Sequence, residues 1–368
     1  MSEVKAPFYV EDIFVGATFD NFQINQQKGV AEHRGDVSLS SRFSRNIPLN
    51  LPVVPANMDT VTGPKMCVAI AQEGGIGILP RSNSISIERE ANWVREVKRA
   101  KNLVIPDPFS ILDTKTVGQA RTEMAKRKVN TLLVNDAKNG ELAGMITARG
   151  IDICQDDCES ISDWLEKRMG GGLIFSKKDI TSWQMAIDEF KRLGPGVSKL
   201  PVVGKNYKTK GLVTRKDVGE WNRNPLANRD NNGRLRVGAA IGATGDYMER
   251  ATALIEAGAD VIVMDMAHAY HEITEKAVQS FRHKFGSYEL VCGNISNYEG
   301  AKFLQGLGVD GVKVGSGSGH GCQTRPATGT GAPQIHAVRS AWHALRESGI
   351  PVISDGGVEM PGDIAKAL

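Results

Sequence analysis

The sequence lacks a strong excess of either charge and any long hydrophobic run. Lys and Arg number 45 and Asp and Glu number 42, which leaves a formal net charge of +3. Nucleic-acid-binding modules usually concentrate basic charge on one patch or helix. No apolar run approaches the roughly 18 residues that a membrane span needs. The composition therefore argues against a nucleic-acid partner and against a membrane protein.

Cysteine is scarce, and the N-terminal residues do not read as an export signal. The five cysteines are odd in number and spread over 368 residues, which is typical of a reducing compartment rather than of a disulfide framework. The first residues contain no basic segment followed by an apolar one. We expect a cytoplasmic protein.

Glycine, by contrast, is abundant, with 40 residues, and it clusters beside strand-like runs. Continuous apolar runs that alternate with helical segments predict parallel βαβ units covered on both faces. The helical segments include 85–100 and 246–259. The strand-like runs are 51–57, 74–79, 236–242, 261–265, 288–294, 310–315 and 350–357.

The predicted fold is an α/β class (β/α)8 TIM barrel. Polar or reactive residues follow the runs, on the face where such barrels carry catalytic groups. A doubly wound sheet would give a similar string, but no glycine-rich dinucleotide fingerprint follows the first run. The final residues, 361–368, read as an unfinished helix, so we expect the eighth βα unit to be missing from this chain. The residues that follow the runs are Asn57, Asp265, Asn294, Cys322 and Asp355.

An internal repeat interrupts this alternation. Residues 141–153 are similar to residues 207–218, and 131–136 are similar to 199–204. Two copies of a helix–strand–strand–helix unit predict an inserted module, which could be purely structural. The predicted domains are 1–102 for the first part of the barrel, 103–223 for the insert and 224–368 for the second part.

The strongest chemical signal is the glycine-rich stretch at 312–334. Its closely spaced glycines allow backbone groups to face a ligand or cation. Cys322 follows them, with Thr324 two residues later, and a thiol at a barrel mouth is a candidate nucleophile. A flexible loop with an incidental thiol is the alternative. His268 and His271 have metal-ligand spacing, but no suitable third ligand follows them, so a zinc site is disfavoured.

Seven segments together resemble the IMP dehydrogenase/GMP reductase family, and most closely its bacterial dehydrogenases that carry a tandem CBS-domain pair. The resemblance covers nearly the whole chain, including the insert. The segments are the glycine-rich stretch, PANMDTVTGPKM (55–66), GRLRVGAAIG (233–242), DMAHAY (265–270), CGN (292–294), CQTR (322–325) and SDGG (354–357).

The resemblance implies roles for individual residues. Catalysis would fall to Cys322, as the nucleophile at the purine C2, with Thr324 and Asp265. The purine nucleoside 5′-monophosphate would be bound by Asp355, Gly356, Gly357, Asn294, Met58 and His320, the last replacing a serine usual in the family. NAD, or NADPH in a reductase, would contact Asp265, Met266, Ala267 and Gly315. Potassium would bind the carbonyls of Gly317, Gly319 and Cys322, and an adenine or guanine nucleotide would bind the insert at Thr214 and Asp217.

Three functions follow from this resemblance. The first is an IMP dehydrogenase, which makes XMP from IMP, NAD and water and is expected to be a homotetramer. The second is a GMP reductase, which makes IMP and ammonia from GMP with NADPH; Asn57 and Thr328 favour it. The third is a non-catalytic nucleotide-sensing module in which the insert is the active part.

Overall fold

The structure is a computed structural model that describes residues 16–21, 23–26, 28–82, 84–100, 103–168, 174–319 and 322–368. Its described residues separate into two compact units. The larger contains the chain up to Ala100 together with Leu226–Asp230 and Leu235–Leu368, and the smaller lies within Lys101–Pro225 and Asn231–Arg234. In these ranges no helix is both long and apolar enough to cross a membrane.

The strands and helices alternate along most of the chain. The strands are β1 Ser41–Arg42, β2 Pro48–Leu49, β3 Gly77–Leu79, β4 Ile105–Pro106, β5 Ser110–Leu112, β6 Thr131–Asn135, β7 Leu142–Thr147, β8 Lys199–Val203, β9 Thr209–Thr214, β10 Val237–Ile241, β11 Val261–Asp265, β12 Leu290–Ile295, β13 Gly311–Val314 and β14 Val352–Ser354. The α-helices are Pro64–Gln72, Ile87–Arg99, Val117–Arg127, Ala148–Ile151, Ile161–Arg168, Trp183–Leu193, Arg215–Arg223, Tyr247–Ala257, Glu272–Phe285, Tyr298–Gly306, Thr324–Thr328, Gln334–Leu345 and Pro361–Ala367.

The larger unit is built on a parallel sheet in the order β14-β13-β12-β11-β10-β3. Both faces of this sheet are buried. Along β11, Val261 and Val263 contribute to one apolar cluster, whereas Ile262 and Met264 contribute to the cluster shared with the helices. Successive strand residues point to opposite faces, so a strand covered on both sides is apolar at every position. The predicted α/β architecture with a parallel sheet is confirmed.

One predicted strand is wrong. Residues 51–57 form no strand. Pro52 and Pro55 have no amide hydrogen to donate to a ladder, and the Val53 amide bonds the carbonyl of Leu51 within the same segment. The segment is nevertheless held next to β3, because the Leu51 amide donates to the carbonyl of Gly74.

Both predicted helical segments contain a helix, Ile87–Arg99 and Tyr247–Ala257. Ser86 caps the helix Ile87–Arg99 by accepting a hydrogen bond from the Arg89 amide. The helix Tyr247–Ala257 ends at Gly258, which has φ +98° and donates its amide to the carbonyl of Ile255. Such a left-handed residue favours glycine and turns the chain directly into the next strand.

The smaller unit contains two copies of one hairpin. β6 pairs with β7 and β8 pairs with β9, both antiparallel and both with an irregularity near the end of the first strand. A helix precedes each hairpin and another follows it. The two copies share an apolar cluster that includes Leu133, Leu142, Val203 and Leu212. The sequence repeat therefore corresponds to a structural repeat with a common core.

The contact between β3 and the helix Pro64–Gln72 predicts a stability effect. A Cβ at Gly77 would lie 2.6 Å from the Cα of Cys67, whereas a Cβ at Gly306 would meet nothing within 4 Å. We expect Gly77→Ala to lower the free energy of unfolding by about 1–3 kcal/mol through overpacking. Gly306→Ala, near a helix end, should be neutral or slightly stabilising. Thermal melts of both variants test this, and equal melting temperatures would contradict it.

Candidate active site

A group of polar side chains lies at the carboxyl edge of the parallel sheet. Asn57 Nδ2 donates to Asp265 Oδ2 at 3.1 Å, and Asn294 Nδ2 donates to Asp355 Oδ2 at 2.8 Å. These residues come from four separate segments of the chain. Asp265 ends β11, Asn294 lies near the end of β12 and Asp355 directly follows β14, and these strands are neighbours or near neighbours in the sheet. The structure therefore brings together four residues that the sequence singled out, where α/β folds bind ligands.

Lys313 joins these two pairs, and the sequence analysis missed it. Its Nζ lies 2.6 Å from Asp265 Oδ1 and 3.0 Å from Asp355 Oδ2. Burial acts to lower the pKa of Lys313, but the charges of Asp355 and Asp265, together with the hydrogen bonds to them, raise that pKa above its ordinary value. The sequence did contain one indication of its importance, a lysine inside the apolar run 310–315, because a buried charge requires a partner.

The segment after β11 is tied to the end of β12. The Met266 amide donates to the carbonyl of Gly293, and the Asn294 amide donates back to the carbonyl of Met266, each at 2.7 Å. Ala267 is exposed just beyond this pair. Asn294 Oδ1 is buried and has no hydrogen-bond partner among the residues that the structure describes. The half-buried Asp265 and the exposed Ala267 are therefore both accessible at the carboxyl edge of the sheet.

The glycine-rich loop packs its backbone against the segment after β14. The Ser318 hydroxyl donates to the carbonyl of Asp355 at 2.9 Å. A Cβ at Gly315 would overlap that carbonyl, and a Cβ at Gly356 would lie 2.6 Å from Ser318 Oγ and 3.1 Å from the Gly319 amide nitrogen. Gly315 itself is buried. The glycines thus allow two backbones to approach where side chains would hold them apart.

Cys322 lies at the end of this loop with an acidified thiol. Its Sγ is 3.3 Å from Thr324 Oγ1. Hydrogen bonding by the hydroxyl and then the amide of Thr324, aided by the charge of Arg325, lowers the pKa of Cys322. Burial instead raises the pKa of Cys67 and of Cys292 to about 12. Because the thiolate is the nucleophilic form, Cys322 is better suited to attack than either core cysteine.

The residues predicted to bind potassium, and two of those predicted to bind the nucleotide, differ in their exposure and local structure. Gly317 has φ +68°, and the Gly319 carbonyl accepts the Cys322 amide at 3.0 Å; carbonyls of such a turn are the donor type that suits potassium. Met58 is 56% exposed. His320 and its neighbour Gly321 lie outside the described residues.

The two histidines that prompted the zinc alternative are not part of a metal cluster in the described part of the chain. There, no group of three or more His, Cys, Asp or Glu side chains is arranged to hold a metal ion. His271 instead caps the helix Glu272–Phe285, since its Nδ1 accepts the Ile273 amide at 3.0 Å.

In the smaller unit, Thr214 and Asp217 lie together at the start of a helix. Thr214 Oγ1 accepts the Asp217 amide at 3.1 Å and also bonds its carboxylate. The other repeat has the same cap, in which Thr147 Oγ1 accepts the Gly150 amide at 3.1 Å. The local backbone is thus repeated, but only the second copy carries a carboxylate at this position.

Residues 16–368 match the sequence model of the IMP dehydrogenase / GMP reductase domain family. The chain belongs to this family. Its members are oxidoreductases that act on purine nucleotides. The predicted resemblance is therefore confirmed, and the polar group and Cys322 lie within the matched region.

Relatives in the family carry both of its names. The chain is 38% identical to the inosine-5′-monophosphate dehydrogenase of Nitrosopumilus maritimus, over 96% of this chain and 72% of that protein. It is also 38% identical to the Aquifex aeolicus dehydrogenase, over 96% and 70%. The solved structure of Trypanosoma brucei GMP reductase in complex with guanosine 5′-triphosphate matches with a TM-score of 0.86 at 36% identity, over 96% of this chain and 83% of that chain.

The contact between Cys322 and Thr324 predicts the reactivity of the thiol. We expect Thr324→Val to raise the pKa of Cys322 and to slow its alkylation by iodoacetamide several-fold near pH 7, with the difference disappearing at high pH. Peptide mapping by mass spectrometry measures the rate, and the exposed Cys158 in the same sample is the control. Equal rates at pH 7 would contradict an acidifying role for Thr324.

Proposed function

We propose that the chain is an IMP dehydrogenase that converts IMP, NAD and water to XMP and NADH. The observation that carries the proposal is the acidified Cys322 on a loop whose backbone packs against Asp355 and Gly356. A nucleophile beside a carboxylate and glycine amides suits a nucleoside monophosphate, whose ribose and phosphate need those partners. The curated relatives support the dehydrogenase direction.

The nucleotide would be held from two sides. Asp355 would accept hydrogen bonds from the ribose hydroxyls. Its Oδ2 already interacts with Lys313 and Asn294, but no residue in the described ranges forms a hydrogen bond with its Oδ1. The amides of Gly356 and Gly357, both in the left-handed region at φ +88° and φ +73°, would face the 5′-phosphate. We assign Asn294, Met58 and His320 to the rest of the nucleotide.

Cys322 would act by covalent catalysis. Its thiolate forms a bond to C2 of IMP as a hydride leaves C2; water then attacks C2 and the sulfur departs, which gives XMP and restores the thiol. This divides one difficult substitution into two steps. Thr324, in contact with the sulfur, would stabilise the thiolate and orient the water.

The cofactor would lie against the turn after β11. When bound, NAD supplies the acceptor for the hydride. Asp265 would orient the nicotinamide together with the backbone of Met266 and Ala267. The backbone of Gly315 would also contact the cofactor. We assign a potassium ion to the carbonyls of Gly317, Gly319 and Cys322, where it would fix the shape of the cysteine loop.

The proposal extends to the whole assembly. The parallel sheet would be the larger part of a (β/α)8 barrel formed by 1–102 and 224–368. The two hairpin copies would be a tandem CBS pair at 103–223 that binds an adenine or guanine nucleotide through Thr214 and Asp217. The protein would be a cytoplasmic homotetramer.

GMP reductase is the second candidate. The Cys322 thiolate would attack C2 of GMP with loss of ammonia, and hydride from NADPH would then displace the sulfur to give IMP. The match to Trypanosoma brucei GMP reductase and the residues Asn57 and Thr328 favour it. Asn57 contacts Asp265, so it is near the proposed cofactor face.

The third candidate, a non-catalytic nucleotide sensor, has weaker support. It requires Cys322 to be a relic, although Thr324 and Arg325 lower the pKa of that thiol. It would be favoured only if nucleotide bound to the insert while IMP and GMP failed to protect Cys322 from alkylation.

Absorbance of the reduced nicotinamide tests the direction of reaction. We expect an increase with IMP, NAD and potassium, and loss of that increase by at least a factor of a thousand in Cys322→Ala, because the nucleophile is absent. A decrease with GMP and NADPH would instead establish the reductase. No change in either mixture, without protection of Cys322 from alkylation by IMP or GMP, would move the assignment to the sensor.

The insert provides a separate prediction. We expect ATP or GTP to raise the melting temperature of the protein, and Asp217→Asn to weaken that binding about tenfold by removing a charged acceptor. Asp188→Asn, at an exposed position on a helix of the same repeat, is the matched control. Equal nucleotide affinity in both variants would contradict the role of Asp217.

A further inference from the structure

Lys313 lies within β13, a strand that is buried at every position and where apolar residues are expected. Its neighbours Val312 and Val314 belong to the apolar cluster shared with the helices. Because strand residues alternate, Lys313 points to the opposite face of the sheet. The adjacent strand makes room with Gly293, where a Cβ would lie 2.6 Å from the Cβ of Lys313.

The ammonium group has a complete set of partners. A lysine has three N–H donors, and Lys313 Nζ has three acceptors: Asp265 Oδ1 at 2.6 Å, Asp355 Oδ2 at 3.0 Å and Asn57 Oδ1 at 3.1 Å. These acceptors come from three segments that are remote in sequence. The Lys313 side chain is 10% exposed, against 37% for Asp265 and 29% for Asp355. The lysine thus lies beneath two carboxylates that face outward.

The contacts orient the two carboxylates differently. Asp265 has both oxygens engaged, Oδ1 by Lys313 and Oδ2 by Asn57. Asp355 has only Oδ2 engaged, by Lys313 and Asn294, so in the described part of the chain its Oδ1 is left for a ligand. One positive charge serves two negative ones, which leaves the group with a net charge of −1.

We propose that Lys313 is a positioning residue for nucleotide binding, which holds the Asp355 carboxylate with one oxygen turned toward the ribose and joins it to Asp265 on the cofactor side. This rests on the proposed function, in which Asp355 binds the ribose. Lys313 itself lies too deep to be the primary contact. Its effect on the nucleotide passes through Asp355.

An ion pair that only stabilised the fold would behave differently. Removal of one partner of a buried ion pair lowers stability because the other charge is left unpaired, so a purely structural role of Lys313 would appear as a lower melting temperature rather than as a specific loss of nucleotide affinity. A residue that acts through Asp355 should instead lose its effect once Asp355 is neutral. Non-additivity of that kind is the signature of coupled residues.

The first test is a double-mutant cycle on nucleotide affinity. Calorimetry with IMP and with GMP would compare the wild type, Lys313→Met, Asp355→Asn and the double variant. We expect each single variant to weaken binding at least tenfold, and the double variant to bind within about twofold of Asp355→Asn. Fold losses that multiply in the double variant would overturn the proposal. Lys302→Met, at an exposed position on the helix Tyr298–Gly306, is the control and should bind as the wild type does.

The second test separates charge from packing. Lys313→Ala leaves space for a propyl chain with a terminal amine. We expect added propylamine, which is protonated at neutral pH, to restore nucleotide affinity at least fivefold, and 1-propanol of the same length to restore none. Rescue by both compounds, or by neither in a variant with a wild-type melting temperature, would overturn the proposal.

The outcomes distinguish this inference from the proposed function. A wild type that binds neither IMP nor GMP would overturn both. A wild type that binds one of them while Lys313→Met binds it equally well would overturn only the role of Lys313. If Lys313→Met does not fold, the comparison is made on Lys313→Ala with and without propylamine, where restored binding supports the proposal.

Discussion

The burial of both faces of the parallel sheet is the constraint on which the rest of the larger unit depends. Strands covered on both sides must be apolar throughout, so polar groups accumulate where the strands end. In a parallel sheet these ends lie at one edge, and loops remote in sequence meet there. Asp265, Asn294 and Asp355 obey this rule. Lys313 is the exception inside a strand, and it is tolerated because its ammonium group is paired with the two carboxylates at the edge.

Much of this could be predicted from the sequence. Six of the seven apolar runs correspond to strands of the sheet, and the polar residues at their ends predicted the group of side chains that forms the candidate site. The run 51–57 failed because hydropathy does not register the missing amide hydrogens of Pro52 and Pro55. Lys313 was missed for a related reason: its importance lies in partners up to 256 residues away, and no local pattern encodes those contacts.

The smaller unit shows how a repeat preserves a backbone while its chemistry diverges. Both copies use a threonine to cap the helix after the hairpin. That cap needs only a hydroxyl and an amide, so it is indifferent to the residue three positions later. The backbone can therefore keep its form whether that residue is Gly150 or Asp217. Sequence similarity between the copies predicted the shared form, and the side chain at this one position separates their possible functions.

The location of Lys313 also bears on how such a protein can diversify. Its charge is anchored in a strand and held by the packing of the sheet, whereas Ala267, Gly317 and Gly319 lie in loops. Loops accept substitutions that strands do not. A charged group that belongs to the scaffold can therefore stay in place while residues of the surrounding loops are replaced.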